Sequence, residues 1–315
     1  MLLAIQEHGG VAAAARSLAF TPPAVSQQIA ALERQVGVPL LDRSQRAARL
    51  TPAGLRLAAH AERVLGDLDA AEADLASMGE LASGLLRLGV IPTAARALLP
   101  LAICRLRETA PDVELQFEQS EPEDSLPALR RGELDLVLAG EYAVAPRRLP
   151  PGLDRRQLLS EPMLVAVPAG HALTGSSVSF IELEKERWIA GTPSSSCAAL
   201  LERSAGLAGF DPLVVGQCGD FDLALTLVAH GQGIALIPNM VAVRYQASSD
   251  LVRFLEPDKP KTRRDIYLAI RRGTAASPGI AYALSALREA AASFAAGSSV
   301  APASAGPRQS DAPER

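Results

Sequence analysis

An unbroken seven-residue repeat of apolar residues constrains the fold of this chain more than any other feature. The repeat alternates spacings of four and three residues through Leu57, Ala61, Val64, Leu68, Ala71, Leu75, Met78 and Ala82. Thr51 and Pro52 precede it, with a hydroxyl at the N-cap position and proline at the first helical position. The spacing predicts a helix of about 30 residues with one narrow apolar stripe, and such a helix needs a partner helix.

We favour self-association through this stripe over packing on the helix's own domain, because the stripe is narrow and the helix joins two dissimilar regions. The expected dimerisation residues are Leu57, Ala61, Val64, Leu68, Ala71 and Leu75.

The regions on either side of the helix differ in pattern. Residues 1–50 are short helical runs broken by glycine and proline, whereas from Leu85 onward short β-rich runs alternate with helical segments. That alternation is typical of parallel α/β construction. Residues 297–315 are rich in Gly, Ser, Ala and Pro, which predicts a disordered tail.

Charge, cysteine content and hydropathy narrow the class of protein. Residues 1–65 carry seven arginines and four acidic residues, a net +3, and the rest of the chain carries −7. A basic N-terminal region followed by an acidic remainder is typical of a nucleic-acid module joined to a sensor or catalytic domain. Ordinary variation in charge along a chain explains the difference equally well. Three cysteines without a C-x-x-C pair exclude a disulfide scaffold and a structural zinc site. The absence of a long apolar run and of a signal-peptide pattern predicts a cytoplasmic protein without a membrane span.

Residues 11–36 have the pattern of two short helices joined by a tight turn. Ala19-Phe20 forms the turn, and Thr21 is placed to cap the second helix. Prolines in a first helical turn cost little, because those N–H groups have no intrahelical partner. Six apolar residues are spaced to close the two helices on each other: Ala14, Ala15, Leu18, Val25, Ile29 and Leu32.

The second helix presents Ser26, Gln27 and Gln28 away from this core, near its N-terminus. Hydroxyl and amide side chains there can reach base edges in a major groove, and the helix N-terminus can meet a phosphate. A short hairpin follows with three arginines, Arg43, Arg46 and Arg49, and is predicted to form a wing along the DNA backbone or in the minor groove.

Four segments of this region resemble the winged helix-turn-helix of LysR-type transcriptional regulators: residues 12–18 (AAAARSL), 23–33 (PAVSQQIAALE), 37–43 (GVPLLDR) and 50–54 (LTPAG). The resemblance covers about residues 1–82 without gaps. It implies a winged helix-turn-helix DNA-binding domain (1–51), a linker and dimerisation helix (52–83), and an α/β effector domain (84–296) with two lobes similar to periplasmic binding proteins.

By position, the resemblance implies that Ser26 and Gln27 face base edges, although both are also ordinary surface residues. Thr21, Gln28 and the three wing arginines would hold phosphates or the minor groove, and Arg43 has Asp42 and Glu33 as alternative partners. The implied target is double-stranded DNA with an inverted repeat, bound by a dimer or tetramer.

Two departures from the family pattern stand out. The family more often has a polar residue where this chain has Pro22, so the Pro22-Pro23 start of the helix predicts apolar contact with a thymine methyl in place of a hydrogen bond. Residues 1–5 match the middle of the family's first helix, so we expect about two further turns and a translation start upstream of Met1.

Residues 85–296 resemble the family's sensing half more loosely. Residues 126–137 and 228–238 each read as a helix, a glycine turn and a buried strand, which are packing units frequent in this family. The resemblance implies lobe I at about 84–160 and 265–296 and lobe II at about 161–264, with chain crossings near 161 and 264.

A ligand is expected between the lobes, where strands end and helix N-termini offer N–H groups. The hydroxyls of loops 90–94 and 189–196 favour a small anion such as a carboxylate metabolite, and helix capping explains them almost as well. The candidate effector-binding residues are Thr93, Ala94, Glu141, Thr192, Ser194, Ser195, Asp220 and Phe221.

Cys197 lies at a predicted helix start, where a thiol pKa can be lowered. A peroxide-sensing relative uses a pair of cysteines in this part of the domain. Here the nearest second cysteine, Cys218, is 21 residues away, so we favour a small buried thiol over a redox sensor.

The sequence contains no metal cluster, phosphate-binding glycine loop, G-x-S-x-G turn or paired catalytic carboxylates. We therefore expect no metal, no cofactor and no enzymatic activity, and we predict a DNA-binding regulator that responds to a small molecule. The competing hypothesis is an enzyme or simple binding protein that uses the α/β body, and it requires catalytic residues or an export signal that we do not find.

Overall fold

The computed structural model describes residues 1–42, 48–77, 83–143, 146, 148–193 and 195–297. The chain divides into two units: residues 1–80 with 271–277, and residues 81–270 with the segment from 278 onward. No described helix combines the length and the apolarity that a membrane span needs.

The first unit is built from helices and one small hairpin. Its elements are α1 (Leu2–His8), α2 (Val11–Ser17), α3 (Pro22–Val36), β1 (Leu41–Asp42), β2 (Arg49–Leu50) and α4 (Pro52–Ser77). Strands β1 and β2 pair antiparallel, as the predicted wing requires. Gly37 ends α3 in the left-handed region at φ +74, a conformation that glycine adopts without a Cβ penalty.

The predicted closure of α2 on α3 is confirmed. The core contains Ala14, Ala15, Val25 and Ile29, all at most 1% exposed, with Leu18 and Leu32 packed at its edge. The hydroxyl of Thr51 accepts from the Gly54 N–H at 3.0 Å, so the predicted cap of α4 is also confirmed.

The expected cap of α3 is wrong. Thr21 occupies the N-cap position, but its side chain makes no capping hydrogen bond. Pro22 and Pro23 fill the first two helical positions and have no N–H to donate. The N–H of Ala24 at the third position remains available, but the Thr21 side chain does not accept from it. The Thr21 hydroxyl is therefore not used in capping.

Glu33 links α3 to the wing. One of its carboxylate oxygens, Oε1, accepts from the backbone N–H of Leu40 at 2.8 Å and of Leu41 at 3.0 Å. A single acidic side chain thus fixes the chain segment that enters β1 relative to α3.

Helix α4 leaves most of its apolar stripe uncovered. Leu57 is half-buried against the core of the first unit, so it belongs to that core and not to the open stripe. Further along, Val64, Leu68 and Leu75 are 57%, 55% and 69% exposed, and Ala71 is exposed as well. Met78 and Ala82, the last residues of the predicted repeat, lie outside the described residues.

The second unit is an α/β structure whose strands and helices alternate as predicted. Its strands are β3 (Gly84–Val90), β4 (Val113–Gln119), β5 (Leu136–Tyr142), β6 (Leu153–Pro168), β7 (Ser177–Val178), β8 (Arg187–Ala190), β9 (Leu213–Gln217), β10 (Ala235–Pro238), β11 (Val252–Pro257) and β12 (Arg263–Arg271). Its α-helices are α5 (Pro92–Thr109), α6 (Pro122–Arg130), α7 (Ser196–Ala208), α8 (Phe221–Ala229), α9 (Asn239–Gln246) and α10 (Pro278–Gly297).

Two groups of strands form two lobes that share β6 and β12. In the first lobe β3 pairs parallel with β4 and β5, and β12 pairs antiparallel with β5. In the second lobe β10 and β11 pair antiparallel with the last part of β6, and β8 pairs parallel with β9. The strand order β4-β3-β5-β12-β6-β11-β7 shows that β12 and β6 carry the chain from one lobe to the other.

The first prediction concerns Glu33. Replacing it with alanine removes the acceptor of two backbone N–H groups, and an unsatisfied buried donor costs about 1–3 kcal/mol. Hydrogen exchange at the Leu40 and Leu41 amides should therefore quicken by about tenfold or more in Glu33→Ala.

Glu33→Gln is the matched variant, since it keeps an acceptor oxygen and should give an intermediate rate. Unchanged exchange at both amides in Glu33→Ala would contradict the assigned role.

Candidate functional site

The first two turns of α3 project the predicted DNA-contacting residues outward. Thr21, Pro22, Pro23, Gln27 and Gln28 are exposed and Ser26 is half-buried. The buried residues of the same helix hold it against α2, so the exposed side chains stand on a rigid support. Arg49 is exposed on β2, whereas Arg43 and Arg46 lie outside the described residues.

A cavity of about 430 Å³ lies between the two lobes of the second unit. We call it the effector cleft. Loops at the carboxyl ends of β3, β8 and β9 line it, which is where parallel strands present helix N-termini. The cleft brings together four of the sequence-predicted residues: Thr93, Thr192, Ser195 and Phe221.

Three other predicted residues lie outside the cleft lining, and Ser194 falls outside the described residues. Glu141 alternates with Gly140 and Tyr142 along β5, so it faces away from the cleft and pairs with Arg155. Ala94 is fully buried in its lobe. The Asp220 carboxylate caps α8 by accepting from the Asp222 N–H at 2.8 Å.

The structure distinguishes the two explanations of the loop hydroxyls, which were anion binding and helix capping. Ser195 Oγ accepts from the Ala198 N–H at 3.1 Å and thus caps α7. Thr93 sits inside α5, whose N-cap is Ile91, so it does not cap that helix. Its Oγ1 is buried and has no hydrogen-bond partner among the described residues.

A buried ion pair lies where the chain passes between the lobes, and our reading of the sequence missed it. Glu161 Oε1 accepts from Arg264 Nε at 2.8 Å and from Nη2 at 2.5 Å, with side chains only 2% and 4% exposed. Glu161 Oε2 accepts from the Met240 N–H at 2.7 Å, in the first turn of α9. The pair therefore joins β6, β12 and α9.

Tyr142 and Cys197 connect this ion pair to the cleft. Tyr142 lies close enough to Arg264 and to Cys197 for these groups to influence one another's pKa. All three residues line the effector cleft. Polar groups of the cleft wall therefore lie beside the ion pair at the lobe junction.

Burial is the largest single influence on the pKa of Tyr142, Cys197 and Arg264. It raises the pKa of the Cys197 thiol to about 11 and raises the pKa of Tyr142 well above its ordinary value, with Arg264 opposing both shifts. Burial lowers the pKa of Arg264, but the Glu161 carboxylate together with Tyr142 more than offsets this and leaves the pKa raised. At Cys197, desolvation therefore outweighs the lowering that a helix start can give.

The side chains give the cleft no excess of positive charge. The Arg264 charge is balanced by Glu161, and Glu121 and Glu123 also line the cleft. Attraction for an anion must then come from the N-termini of α5 and α7. Among the residues that the structure describes, no group of three or more potential metal ligands comes together.

The sequence holds a signal for the missed pair. Glu161 and Arg264 each lie in a strand whose other buried residues are mostly apolar. Opposite charges within two apolar strands indicate a buried pair, since an isolated charge there is too costly. This pattern does not predict that β6 and β12 are neighbouring strands.

The second prediction concerns this pair. Glu161→Ala leaves a buried guanidinium without its carboxylate, so the free energy of unfolding should fall by about 3–5 kcal/mol. The single tryptophan, Trp188, lies in the core of the second lobe and allows urea unfolding of this unit to be followed by fluorescence.

Glu141→Ala is the control, because its partner Arg155 is more exposed and also contacts Asp265. It should cost about 1 kcal/mol or less. Equal losses in the two variants would contradict a special role for the Glu161–Arg264 pair.

Comparison with known proteins identifies the family. Residues 1–55 match the family model described as "Bacterial regulatory helix-turn-helix protein, lysR family", and residues 79–292 match "LysR substrate binding domain". The chain is 31% identical over 299 residues to a "Probable hydrogen peroxide-inducible genes activator" of Streptomyces viridosporus, over 91% of each chain. It is also 31% identical to the DNA-binding transcriptional dual regulator OxyR of Escherichia coli, over 87% of this chain and 88% of that protein.

Solved structures share the fold. A full-length OxyR variant from Pseudomonas aeruginosa matches with a TM-score of 0.61 at 24% identity, over 92% of both chains. The LysR family regulator CbnR in complex with its target DNA matches with a TM-score of 0.54 at 23% identity, over 92% of this chain and 97% of that chain. The chain therefore belongs to the LysR family: it is a DNA-binding transcriptional regulator with a helix-turn-helix domain and an effector-binding domain of the periplasmic-binding-protein type.

Proposed function

We propose that this regulator binds an operator with an inverted repeat as a homo-oligomer, and that a small molecule between the lobes modulates its activity. The observation that carries the proposal is the exposed N-terminal end of α3, which presents Gln27 from a helix held rigidly by its core. The proposed divisions are the DNA-binding domain at 1–51, the linker helix at 52–83 and the effector domain at 84–296. A cytoplasmic location follows from the DNA partner.

The residues of the DNA-binding face have different proposed roles. Ser26 and Gln27 read base edges in the major groove, and Pro22 gives apolar contact to a thymine methyl. The Thr21 hydroxyl, which is not used in capping, binds a phosphate. Pro23 completes the helix start, and phosphate or minor-groove contacts are proposed for Gln28, Arg43, Arg46 and Arg49.

Self-association is proposed through α4. Its exposed leucine and valine side chains, Val64, Leu68 and Leu75, lie along one side of a long helix and would leave water when a second copy packs there. Pairing two such helices places two DNA-binding domains on one duplex, as an inverted repeat requires.

The effector is proposed to bind in the cleft without being transformed there. Thr93, Thr192, Ser195 and Phe221 line the cleft and supply hydroxyls and an apolar wall. We propose a small carboxylate metabolite, since the N-termini of α5 and α7 favour an anion while the side chains bring no net positive charge. Ser194 is also included in the proposed site because of its position in the sequence.

A second candidate is a response to peroxide through Cys197. Relatives of this chain are named hydrogen peroxide-inducible genes activators, and Cys197 and Cys218 line the same cleft. A thiol and a peroxide would give a sulfenic acid and water, and the second thiol would then form a disulfide and release water. We place this second, because a thiol with a pKa of about 11 is on the order of 10⁻⁴ ionised near pH 7.

The third prediction tests the base contact. Gln27→Ala should weaken binding to DNA from upstream of the protein's own gene by about tenfold or more, since a good base contact is worth about 1–3 kcal/mol. Binding to an unrelated duplex should stay nearly unchanged. Gel retardation at fixed salt measures both.

Gln35→Ala is the matched control, because Gln35 is exposed at the other end of α3. Equal losses on both duplexes for Gln27→Ala would remove its proposed role in sequence choice.

The fourth prediction separates the two effector hypotheses. A carboxylate that binds the cleft should raise the unfolding temperature of the full-length chain, since a ligand selective for the folded state stabilises it. Thr192→Val should reduce that shift, whereas Cys197→Ser should retain it.

Peroxide treatment followed by mass spectrometry tests the peroxide hypothesis. Rapid formation of a Cys197–Cys218 disulfide, with no thermal shift from any carboxylate, would favour the peroxide response over metabolite binding.

A further inference from the structure

A second cavity of about 410 Å³ lies in the effector domain beside the cleft. Helices from both lobes form it: the start of α5 and the end of α10 from the first lobe, and α8 and α9 from the second. It shares Pro92, Thr93, Gly219 and Phe221 with the cleft, so these residues form a common wall. We call it the junction cavity.

The body of the junction cavity is apolar. Five residues that do not touch the cleft line it: Ala97, Met240, Val241, Val243 and Phe294. Its volume falls within the range of small-molecule sites, which are mostly apolar with a few placed polar groups.

Two guanidiniums border this apolar space. Arg96 comes from α5 in the first lobe and Arg244 from α9 in the second, and both line the cavity. They meet on one carboxylate, that of Asp222 in α8, with Arg96 on Oδ2 and Arg244 on Oδ1. The three side chains therefore bridge the lobes next to the cavity.

The N–H donors of this cluster outnumber the acceptors that they contact, although its two arginines and two aspartates balance in charge. Two guanidiniums offer ten N–H donors, and the only acceptor of either among the described residues is Asp222. Asp220 also lines the cavity, and one of its carboxylate oxygens already accepts a hydrogen bond from the Asp222 N–H. Donors remain at the cavity edge for a further anionic oxygen.

Two further polar groups of the cavity wall can form hydrogen bonds with a ligand. The buried Oγ1 of Thr93, which has no partner in the described part of the chain, belongs to the shared wall. Gln119, at the end of β4, also lines the cavity and brings an amide that can donate or accept.

We propose that the junction cavity is a second ligand site and that it binds a monocarboxylate with an apolar chain or ring. The apolar body of the ligand would lie against Val241 and Phe294, and its carboxylate would accept from Arg96 and Arg244. A guanidinium pair suits a carboxylate because it donates paired, charge-assisted hydrogen bonds. Since α5 and α9 belong to different lobes, such a ligand favours one spacing of the lobes.

The site does not depend on what the effector cleft binds, because its guanidiniums and most of its apolar wall lie outside the cleft. The shared residues Thr93 and Phe221 give a direct path by which occupancy of one cavity alters the other.

The test uses octanoate with the full-length chain. Calorimetry should show saturable binding of octanoate, and neither acetate, which lacks the apolar body, nor octanol, which lacks the charge, should bind comparably. The double variant Arg96→Gln/Arg244→Gln should weaken octanoate binding by about tenfold or more, since charge-assisted bonds are lost. Ala97→Phe should block the cavity and give the same loss.

Two controls locate the site. Arg105→Gln changes another exposed arginine of α5 outside both cavities and should leave octanoate affinity unchanged. Thr192→Val changes the cleft alone and should also leave octanoate affinity unchanged. A failure of the cleft proposal can therefore be distinguished from a failure of this one. Hydrogen exchange should show octanoate protecting residues 239–246.

Three results would overturn the proposal. One is the absence of saturable octanoate binding, and another is equal affinity in the wild type, the double arginine variant and Ala97→Phe. The third is loss of binding in Thr192→Val with no protection of α9, which would place octanoate in the effector cleft.

Discussion

The buried pair of Glu161 and Arg264 is the interaction on which the effector domain depends. It lies where β6 and β12 pass between the lobes, and its second carboxylate oxygen holds the first turn of α9. A buried pair of this kind adds little net stability compared with apolar residues of similar size, but each charge is costly without the other. Its structural effect is therefore to fix two strands and a helix at one point. Tyr142 and Cys197, whose pKa values Arg264 influences, line the effector cleft beside it.

Two cavities flank the lobe junction and share a wall. The effector cleft has hydroxyls, a protonated thiol and no excess of positive side-chain charge, whereas the junction cavity has an apolar body and two guanidiniums on one carboxylate. Because Thr93 and Phe221 belong to both, any ligand in one changes the surroundings of the other. If both cavities bind ligands as we propose, two chemical signals would act on the same relative motion of the lobes.

The sequence predicted the helices and the hairpin of the first unit, since their signals are local. The closure of α2 on α3, the Thr51 cap and the wing follow from residues close together in the chain. The exception is Thr21, whose side chain makes no capping hydrogen bond. In the effector domain, Thr93, Thr192, Ser195 and Phe221 line the cleft, whereas Glu141 faces away from it. The sequence could not separate them, because a buried strand with apolar residues on both faces does not reveal which side meets the cleft.

By itself, the sequence determined the order of the elements, the single stripe of α4 and the family to which the chain belongs. These features repeat over a few residues, so spacing and residue type suffice to specify them. Only the tertiary structure decided that Glu161 meets Arg264 and that Arg96 and Arg244 share Asp222, because these partners are far apart in the chain. It also decided the protonation of Cys197, since desolvation depends on every group packed around a thiol and not on its position in a helix.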